Sequence, residues 1–325
     1  MKTKQRTLAV LLVLVLVLGG LLWFVSRSNA AEEAASSAAA EGMLSSFAAG
    51  DVTSIRYAYG GETLTLNYDS GSWTLVDDPD YHLDASACNT MVTALASLNA
   101  KRQLTAQPGE DYGLADPAVT VTVTAAGETN TFAFGTENPV TGDLYVQKAG
   151  DDAVYTVSGN KAACFELTKA DLFGAFNPAG LTASALESVS ITTGSGTLAL
   201  NAVSEPAEAE SDSSESVADS TTYQTVWRLA DEPSADLDDS KVQSILSALA
   251  GYVTAQITDA DPSAYGFAAP LATVRAASAD GTVTLRYAEN ADGCWMMVEG
   301  DSSVYAVDLD TVQALLITAA ALKAE

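Results

Sequence analysis

The sequence has little of what catalytic and metal sites usually require. Its 325 residues include one histidine and three cysteines. Cys88, Cys164 and Cys294 share none of the close spacings typical of metal ligands, and their odd number allows at most one disulfide. Cys88 on an apolar helix face and Cys294 beside an apolar strand favour buried free thiols. A cysteine nucleophile paired with His82 is the alternative, although nothing in their spacing ties the two together.

Cations are scarce as well. Fifteen lysine and arginine residues stand against 42 aspartate and glutamate residues, which gives a formal net charge of −27. Nucleic acid is therefore excluded as a partner, because neutralising phosphates requires clustered cations. The chain also contains no Walker motif and no dinucleotide-binding fingerprint. We assign no catalytic, cofactor-binding or metal-binding residue from the sequence.

A long apolar run stands near the N-terminus, at residues 8–25. It is long enough to cross the hydrocarbon core of a bilayer. Lys2, Lys4 and Arg6 precede it and only Arg27 follows closely, so the positive-inside rule places the N-terminus in the cytoplasm. We expect a single-pass cell-membrane protein, anchored in lipid by residues 1–30, with everything beyond them extracytoplasmic.

A cleaved signal peptide is the other interpretation of this segment. Residues 28–30 form a small-residue sequence resembling a cleavage site, although the apolar run is longer than signal peptides usually have. Residues 31–50 are rich in alanine, serine and glutamate, and we interpret them as a stalk or tether.

The rest of the chain repeats itself with a period of about 153 residues. The matched stretches are 72–75 with 226–229, 83–84 with 237–238, 112–121 with 265–274, and 154–157 with 304–307. Each copy has a strand bearing tryptophan, a helix at 84–98 or 238–252, a Tyr-Gly turn and further strands. We predict two units, at residues 51–180 and 183–325.

Alternating apolar and polar residues predict the strands, as at Val119, Val121 and Val123. One helix laid on the apolar face of an antiparallel sheet buries both elements. The predicted fold class is therefore α+β, with two tandem repeats that each carry one main helix packed on an antiparallel sheet, after an N-terminal transmembrane helix.

The second repeat contains an acidic insertion at residues 204–222. Its six acids stand among serine and alanine without any cation: Glu205, Glu208, Glu210, Asp212, Glu215 and Asp219. Such a composition cannot bury much apolar surface, so it predicts a disordered surface loop.

Several motifs of the first repeat carry a family resemblance. The tryptophan strand, the capped helix and the Tyr-Gly-Leu-x-x-Pro turn at 112–117 are followed by Phe-Gly at 134–135 and Asp-Leu-Tyr-Val at 143–146. This arrangement resembles the domain-of-unknown-function family DUF4340, over almost all of residues 51–325. The resemblance implies a membrane-anchored bacterial envelope protein, often encoded near an ABC-type exporter, and it supplies no catalytic residues.

Two functions from different classes remain open. The first is a non-enzymatic binding or scaffold protein of the envelope, with a protein or transporter partner. The alternative is an envelope hydrolase or carbohydrate-active protein, which would need two carboxylates facing each other across a groove. The candidate acid clusters are Asp77, Asp78 and Asp80; Asp236, Asp238 and Asp239; Asp259 and Asp261; and Asp308 and Asp310.

Overall fold

The computed structural model describes residues 37–38, 42–105, 109–206 and 222–324. The predicted anchor at residues 1–30 lies outside these ranges. No helix within them combines the length and the apolar character needed to span a membrane. The chain divides into two compact units. The first comprises residues up to Asp77 with Ala85–Leu172, and the second comprises Asp78–Asp84 with Phe173–Glu325.

The first unit is built on a nine-stranded sheet with the order β1-β7-β11-β10-β9-β8-β3-β4-β5, beside a two-stranded sheet of β2 and β6. Its strands are β1 Ser37–Ala38, β2 Gly42–Met43, β3 Val52–Tyr59, β4 Glu62–Asp69, β5 Ser72–Leu75, β6 Asn99–Ala100, β7 Arg102–Leu104, β8 Val119–Ala125, β9 Glu128–Glu137, β10 Asp143–Lys148 and β11 Val154–Ser158. Helix α1 spans Ala85–Ala96. Short 3-10 helices occur at Ala49–Asp51, Gly159–Lys161, Ala163–Phe165 and Ala170–Leu172.

The second unit is built on an eight-stranded sheet with the order β14-β13-β12-β16-β17-β18-β19-β15. Its strands are β12 Leu186–Thr193, β13 Gly196–Pro206, β14 Tyr223–Leu229, β15 Ala255–Ile257, β16 Ala272–Ser278, β17 Gly281–Asn290, β18 Gly293–Val298 and β19 Val304–Val307. Its helices are α2 Asp239–Ala250, α3 Leu309–Leu315 and α4 Ala319–Leu322, with 3-10 helices at Ala183–Ala185 and Pro262–Tyr265.

Eight strands follow the same order in both sheets. Sheet β7-β11-β10-β9-β8-β3-β4-β5 corresponds strand by strand to β15-β19-β18-β17-β16-β12-β13-β14, and all pairs are antiparallel. The registers agree too, since Leu66 pairs with Leu75 and Leu200 with Leu229. The molecule therefore consists mostly of antiparallel sheets with few helices, in two similar halves. It is richer in strand than the predicted α+β architecture, because short strands fill stretches that the sequence pattern left irregular.

Most of the strand residues that the alternation places on the inner face are buried. In the first unit these include Ile55, Tyr57, Leu64, Leu66, Val119, Val121 and Val123, and in the second Val189, Ile191, Leu198, Leu200, Leu285 and Tyr287. Each helix adds four buried residues at helical spacing: Cys88, Met91, Val92 and Leu95 in α1, and Val242, Ile245, Leu246 and Leu249 in α2. In the second unit, helix and strands share one apolar cluster.

The predicted stalk at residues 31–50 requires a correction for residues 42–50. Strand β2 pairs with β6, and the Leu44 N–H donates to the Leu98 carbonyl at 2.8 Å. Phe47 and Ser45 are both buried. Burying an aromatic side chain lowers the free energy of the folded state. This part of the segment therefore belongs to the folded first unit.

The predicted unit boundary at 180–183 is also corrected, in two places. Residues 173–180 belong to the second unit, where Phe173 and Phe176 pack against its core. The Asp78–Asp84 segment belongs there as well. The amide of Gln256 holds it, because its Oε1 accepts from the His82 N–H at 2.8 Å and its Nε2 donates to the Asp80 carbonyl at 3.0 Å.

The predicted insertion at 204–222 begins inside a strand. Pairing of β13 with β14 continues from Ser204 with Thr225 to Pro206 with Tyr223. Glu205, which composition assigned to a solvated loop, binds Arg228 on the neighbouring strand. Residues 204–206 therefore complete the hairpin of these two strands, and the predicted loop at residues 207–221 lies outside the described residues.

Candidate functional site

Strand β14 forms one edge of the second sheet, and among the described strands it pairs with β13 alone. Just beyond it, the Ala230 N–H donates to the Ala199 carbonyl at 2.9 Å. Hydrogen-bonding direction alternates along an antiparallel strand, so Val226 and Arg228 also face β13. The N–H and C=O groups of Thr225 and Trp227 therefore point away from β13, along the open edge.

A groove of about 580 Å³ runs beside this edge. Its lining residues are Glu205, Pro206, Gln224, Thr225, Val226, Trp227, Arg228, Asp236, Leu237, Asp239, Val242 and Gln243. Side chains from both faces of β14 take part, Thr225 and Trp227 from one face and Val226 and Arg228 from the other. Because the groove is lined by residues from both faces of β14, it extends along the edge of that strand. The first residues of helix α2 form the opposite wall.

Arg228 sets the electrostatics of this groove. Its Nε and Nη2 donate to the two carboxylate oxygens of Glu205 at 3.0 and 2.8 Å, and its Nη1 donates to Asp236 at 3.4 Å. The hydrogen bond from Arg228 holds the pKa of Glu205 below its ordinary value. Two carboxylates share one guanidinium, and Asp239 adds a third at the start of α2.

Three other members of the predicted acid clusters accept hydrogen bonds that give them structural roles. Asp238 caps helix α2 by accepting from the Ser240 and Lys241 N–H groups. The side-chain hydrogen bond from Ser240 is the main cause that lowers its pKa. Asp261 caps a 3-10 helix by accepting from the Ser263 N–H at 3.0 Å. Asp78 accepts a hydrogen bond from the Thr258 hydroxyl at 2.6 Å. In the described ranges, no group of three or more His, Cys, Asp or Glu residues is arranged to hold a metal ion.

The first unit has its own groove, of about 600 Å³, beside helix α1 and Lys161. Ser158 precedes Lys161 at the Ser-x-x-Lys spacing, a pattern that is found in some hydrolases. The Lys161 ammonium donates to the Ser97 hydroxyl at 2.8 Å, and that hydroxyl donates to the Thr93 carbonyl at 2.6 Å. Ser158 does not line this groove, and Ser97, the hydroxyl that Lys161 contacts, has its own proton held by a carbonyl and is not arranged for attack as a nucleophile.

The cysteines and the histidine lie in separate environments. Cys88 and Cys294 are buried and Cys164 is half-buried, and all three are free thiols. Burial raises the pKa of Cys164 to about 11, which disfavours the reactive thiolate. The His82 ring stacks on Phe176, with 4.0 Å between centroids, and its Nδ1 lies 2.8 Å from the Gly174 carbonyl oxygen.

The Tyr-Gly turns press against the neighbouring strands. Gly113 and Gly266 have φ values of +73° and +87°. A Cβ at Gly113 would lie 2.6 Å from the Thr136 nitrogen, and one at Gly266 would lie 2.4 Å from the Glu289 carbonyl oxygen. Only glycine fits such a close approach with positive φ. In the second unit, Phe267 after the turn is buried in a small apolar cluster.

Each turn also carries a half-buried aromatic pair. The rings of Tyr112 and Tyr145 lie 4.8 Å apart between centroids, and those of Tyr265 and Trp295 lie 4.7 Å apart. The Trp295 indole donates to Asn290 at 2.8 Å. Each turn tyrosine is thus held against a second ring.

The tryptophans of the repeated strand differ in burial. Trp227 is buried in the core of the second unit. Trp73 is half-buried, contacts the ring of Tyr68, and donates from its indole to Asn89 at 3.1 Å. Trp227 is therefore a core residue, whereas Trp73 lies at the margin of its sheet's buried face.

The sequence did not indicate the groove beside β14. Its acids were visible as clusters, but the edge position of β14 depends on strand order, which sequence alternation does not encode. The acidic insertion was the one sequence signal that pointed to this region, because a long connection within a hairpin marks the end of two paired strands.

Comparisons with known proteins identify one family. The model of the domain of unknown function DUF4340 matches residues 73–226 and 227–325, two consecutive segments that begin at Trp73 and Trp227. These segments do not coincide with the compact units, because the first one continues through β12 and β13 of the second unit. No curated protein and no solved structure matches the chain. The matched segments cover most of the sequence in two tandem copies, and the chain therefore belongs to the DUF4340 family.

Proposed function

We propose that this chain is a membrane-anchored, extracytoplasmic binding protein of the bacterial cell envelope, accessory to an ABC-type transport system. The observation that carries the proposal is the groove beside the open edge of β14. A groove bordered by an unpaired strand edge and a helix is a common arrangement for holding a segment of another protein. The family's resemblance to envelope proteins supports the compartment.

The proposed topology is one N-terminal transmembrane helix within residues 1–30, followed by two extracytoplasmic units. Each unit then presents a sheet with one main helix packed on it. The apolar run at residues 8–25 and the cations at positions 2, 4 and 6 support a cytoplasmic N-terminus.

The hydrolase alternative receives no comparable support. Glu205 and Asp236, two carboxylates of the groove, both bind Arg228. Asp238 and Asp261 serve as helix caps. Their interactions give these carboxylates structural roles, and we propose no catalytic one.

Membrane fractionation tests the topology. We expect a full-length chain with a C-terminal epitope tag to stay with membranes in high salt and to be released by detergent. Protease added outside intact spheroplasts should remove the tag. Leu16→Arg, a charge at the centre of the apolar run, should lower the membrane-bound fraction, since such a charge costs about 3 kcal/mol on insertion. A tag protected from the protease would contradict the proposed orientation.

Photo-crosslinking in cells tests the binding role. A photoreactive amino acid at Gln224, within the groove, should give a discrete adduct with another envelope protein. The matched control is the same substitution at Thr63, an exposed strand residue of the first unit. Equal labelling from both positions, or no adduct from Gln224, would contradict binding at the groove.

A further inference from the structure

We infer that the groove beside β14 takes an extended, lysine- or arginine-bearing segment of a partner protein, which adds to the second sheet as a further antiparallel or parallel strand. This inference rests on the proposed binding function and specifies its chemistry. It follows from the edge backbone, the helix wall and the charge of the groove.

The edge of β14 offers main-chain hydrogen bonds. The N–H and C=O groups of Thr225 and Trp227 point outward, and within the described ranges β14 pairs with no strand except β13. The first three residues of the strand, Tyr223 to Thr225, are exposed. Natural edge strands are usually blunted by charge, proline or shortness, and the segment 223–227 has neither a charge nor a proline.

Helix α2 gives the groove a second wall. Asp239 and Gln243 stand one helical turn apart on the groove side, with the buried Val242 between them. A segment paired with β14 would thus lie between a strand and a helix. Alternate side chains of such a segment point to opposite faces, so one set would meet the helix wall.

The net charge of the groove determines which kind of partner segment it favours. The groove contains the carboxylates of Glu205, Asp236 and Asp239 against the single guanidinium of Arg228. A cationic segment balances this excess of negative charge, and an acidic segment is repelled. A second copy of the same edge is disfavoured for that reason. It would bring another acidic groove alongside, together with a 207–221 connection that has five acids and no cation.

The experiment uses the full-length chain in nanodiscs of neutral phosphatidylcholine, so that cationic peptides do not bind the lipid. Three fluorescent heptapeptides serve as probes: alternating lysine and valine, alternating glutamate and valine, and the lysine peptide with all backbone nitrogens methylated. We expect only the unmethylated lysine peptide to bind. It should slow amide exchange at Thr225 and Trp227, and added salt should weaken it.

Two variants separate the backbone from the side chain. Thr225→Pro removes an outward N–H and leaves the ladder to β13 intact, so it should weaken binding by about tenfold. Thr225→Val, the matched control, keeps the N–H and should stay within about twofold. Asp239→Asn should weaken the lysine peptide severalfold and leave amide protection at the edge in place.

Several results would overturn the inference. Equal binding of the methylated peptide would show electrostatic attraction without strand addition, and this comparison needs only the wild-type chain if Thr225→Pro fails to fold. Equal binding of the glutamate peptide would remove the charge argument. Self-association abolished by Thr225→Pro would make a second copy the occupant. Loss of peptide binding while the Gln224 adduct persists would refute strand addition alone and leave the proposed binding function standing.

Discussion

The two units share eight strands in one order and differ in the length of their edge hairpins. In the first unit, β4 and β5 are joined by a tight turn, and their pairing covers four positions, from Asp69 with Ser72 to Leu66 with Leu75. In the second, β13 and β14 pair over seven positions, and residues 207–222 connect them. The same core thus supports a short edge in one unit and a long edge beside a groove in the other.

The comparison distinguishes strand pairs that the core of both units requires from additional pairs that occur in one unit only. The shared register of Leu66 with Leu75 and of Leu200 with Leu229 lies over the core, where a slip would turn apolar side chains towards water. The extra pairs of the long hairpin lie beyond it, from Ser204 with Thr225 to Pro206 with Tyr223. Glu205 in this extension binds Arg228 in the part of the hairpin that both units share.

The largest expected effect tests the shared core. Leu95 and Leu249 occupy matching positions in α1 and α2 and are almost fully buried. Leu95→Ala and Leu249→Ala should each reduce the free energy of unfolding by about 2–5 kcal/mol, because each leaves a cavity. Denaturant titration of each variant measures this. A loss below about 1 kcal/mol in one unit only would show that the cores are not equivalent.

A smaller loss of stability is expected from a residue that is buried in one of two matching strands and exposed in the other. Gln256 in β15 is buried and binds the 78–84 segment, while Gln103 in β7 is exposed. Gln256→Ala should cost about 1–3 kcal/mol, since it leaves the His82 N–H and the Asp80 carbonyl without their partner.

Gln103→Ala is the matched control, expected within about 0.5 kcal/mol of the wild type. Thermal unfolding of both variants provides the measurement. Equal losses would mean that the buried amide adds nothing specific to the second unit.

The pH behaviour of Glu205 tests the long hairpin. Arg228 holds the pKa of this carboxyl below its ordinary value in the folded chain. The pair therefore stabilises the fold above the ordinary carboxyl pKa, and that contribution is lost as the pH falls through the lowered value. In Arg228→Gln the pKa of Glu205 should rise, as measured by NMR titration of its side chain.

Asp151 is the internal control for this titration, because the hydrogen bond from the Tyr155 hydroxyl is the main cause that lowers its pKa. Its pKa should not change in Arg228→Gln. An unchanged pKa for Glu205 would show that the ion pair does not persist in solution.

The smallest effect concerns the connection between β13 and β14. Deleting residues 208–220 should change the melting temperature little, because shortening a connection of this length alters closure entropy by less than about 1 kcal/mol. The acidic composition of this segment underlies the expectation. A fall of many degrees would show that the segment is packed.

The sequence predicted the faces of the strands and the two main helices. Alternation at Val119, Val121 and Val123 and helical spacing at Met91 and Leu95 correctly identified buried positions. These signals are local, since each element must bury one side. The helices observed at Ala85–Ala96 and Asp239–Ala250 lie within the predicted 84–98 and 238–252.

Features that depend on long-range pairing were not predicted. Nothing local shows that β3 pairs with β8, that β14 forms an edge, or that Asp78–Asp84 joins the second unit. The groove was missed for this reason, since its walls come from a strand and a helix whose proximity is a tertiary property. Composition also predicted the wrong structure for Glu205. It indicated a disordered loop, whereas Glu205 lies in strand β13 and binds Arg228 on the neighbouring strand.

Amide hydrogen exchange at single-residue resolution on the full-length chain measures directly whether the edge of β14 is open. We expect alternation along β14, with fast exchange at Thr225 and Trp227 and slow exchange at Val226 and Arg228. The core strands of both units should exchange slowly throughout. Slow exchange at Thr225 and Trp227 in the free chain would mean that the edge is already covered and that β14 offers no site for strand addition.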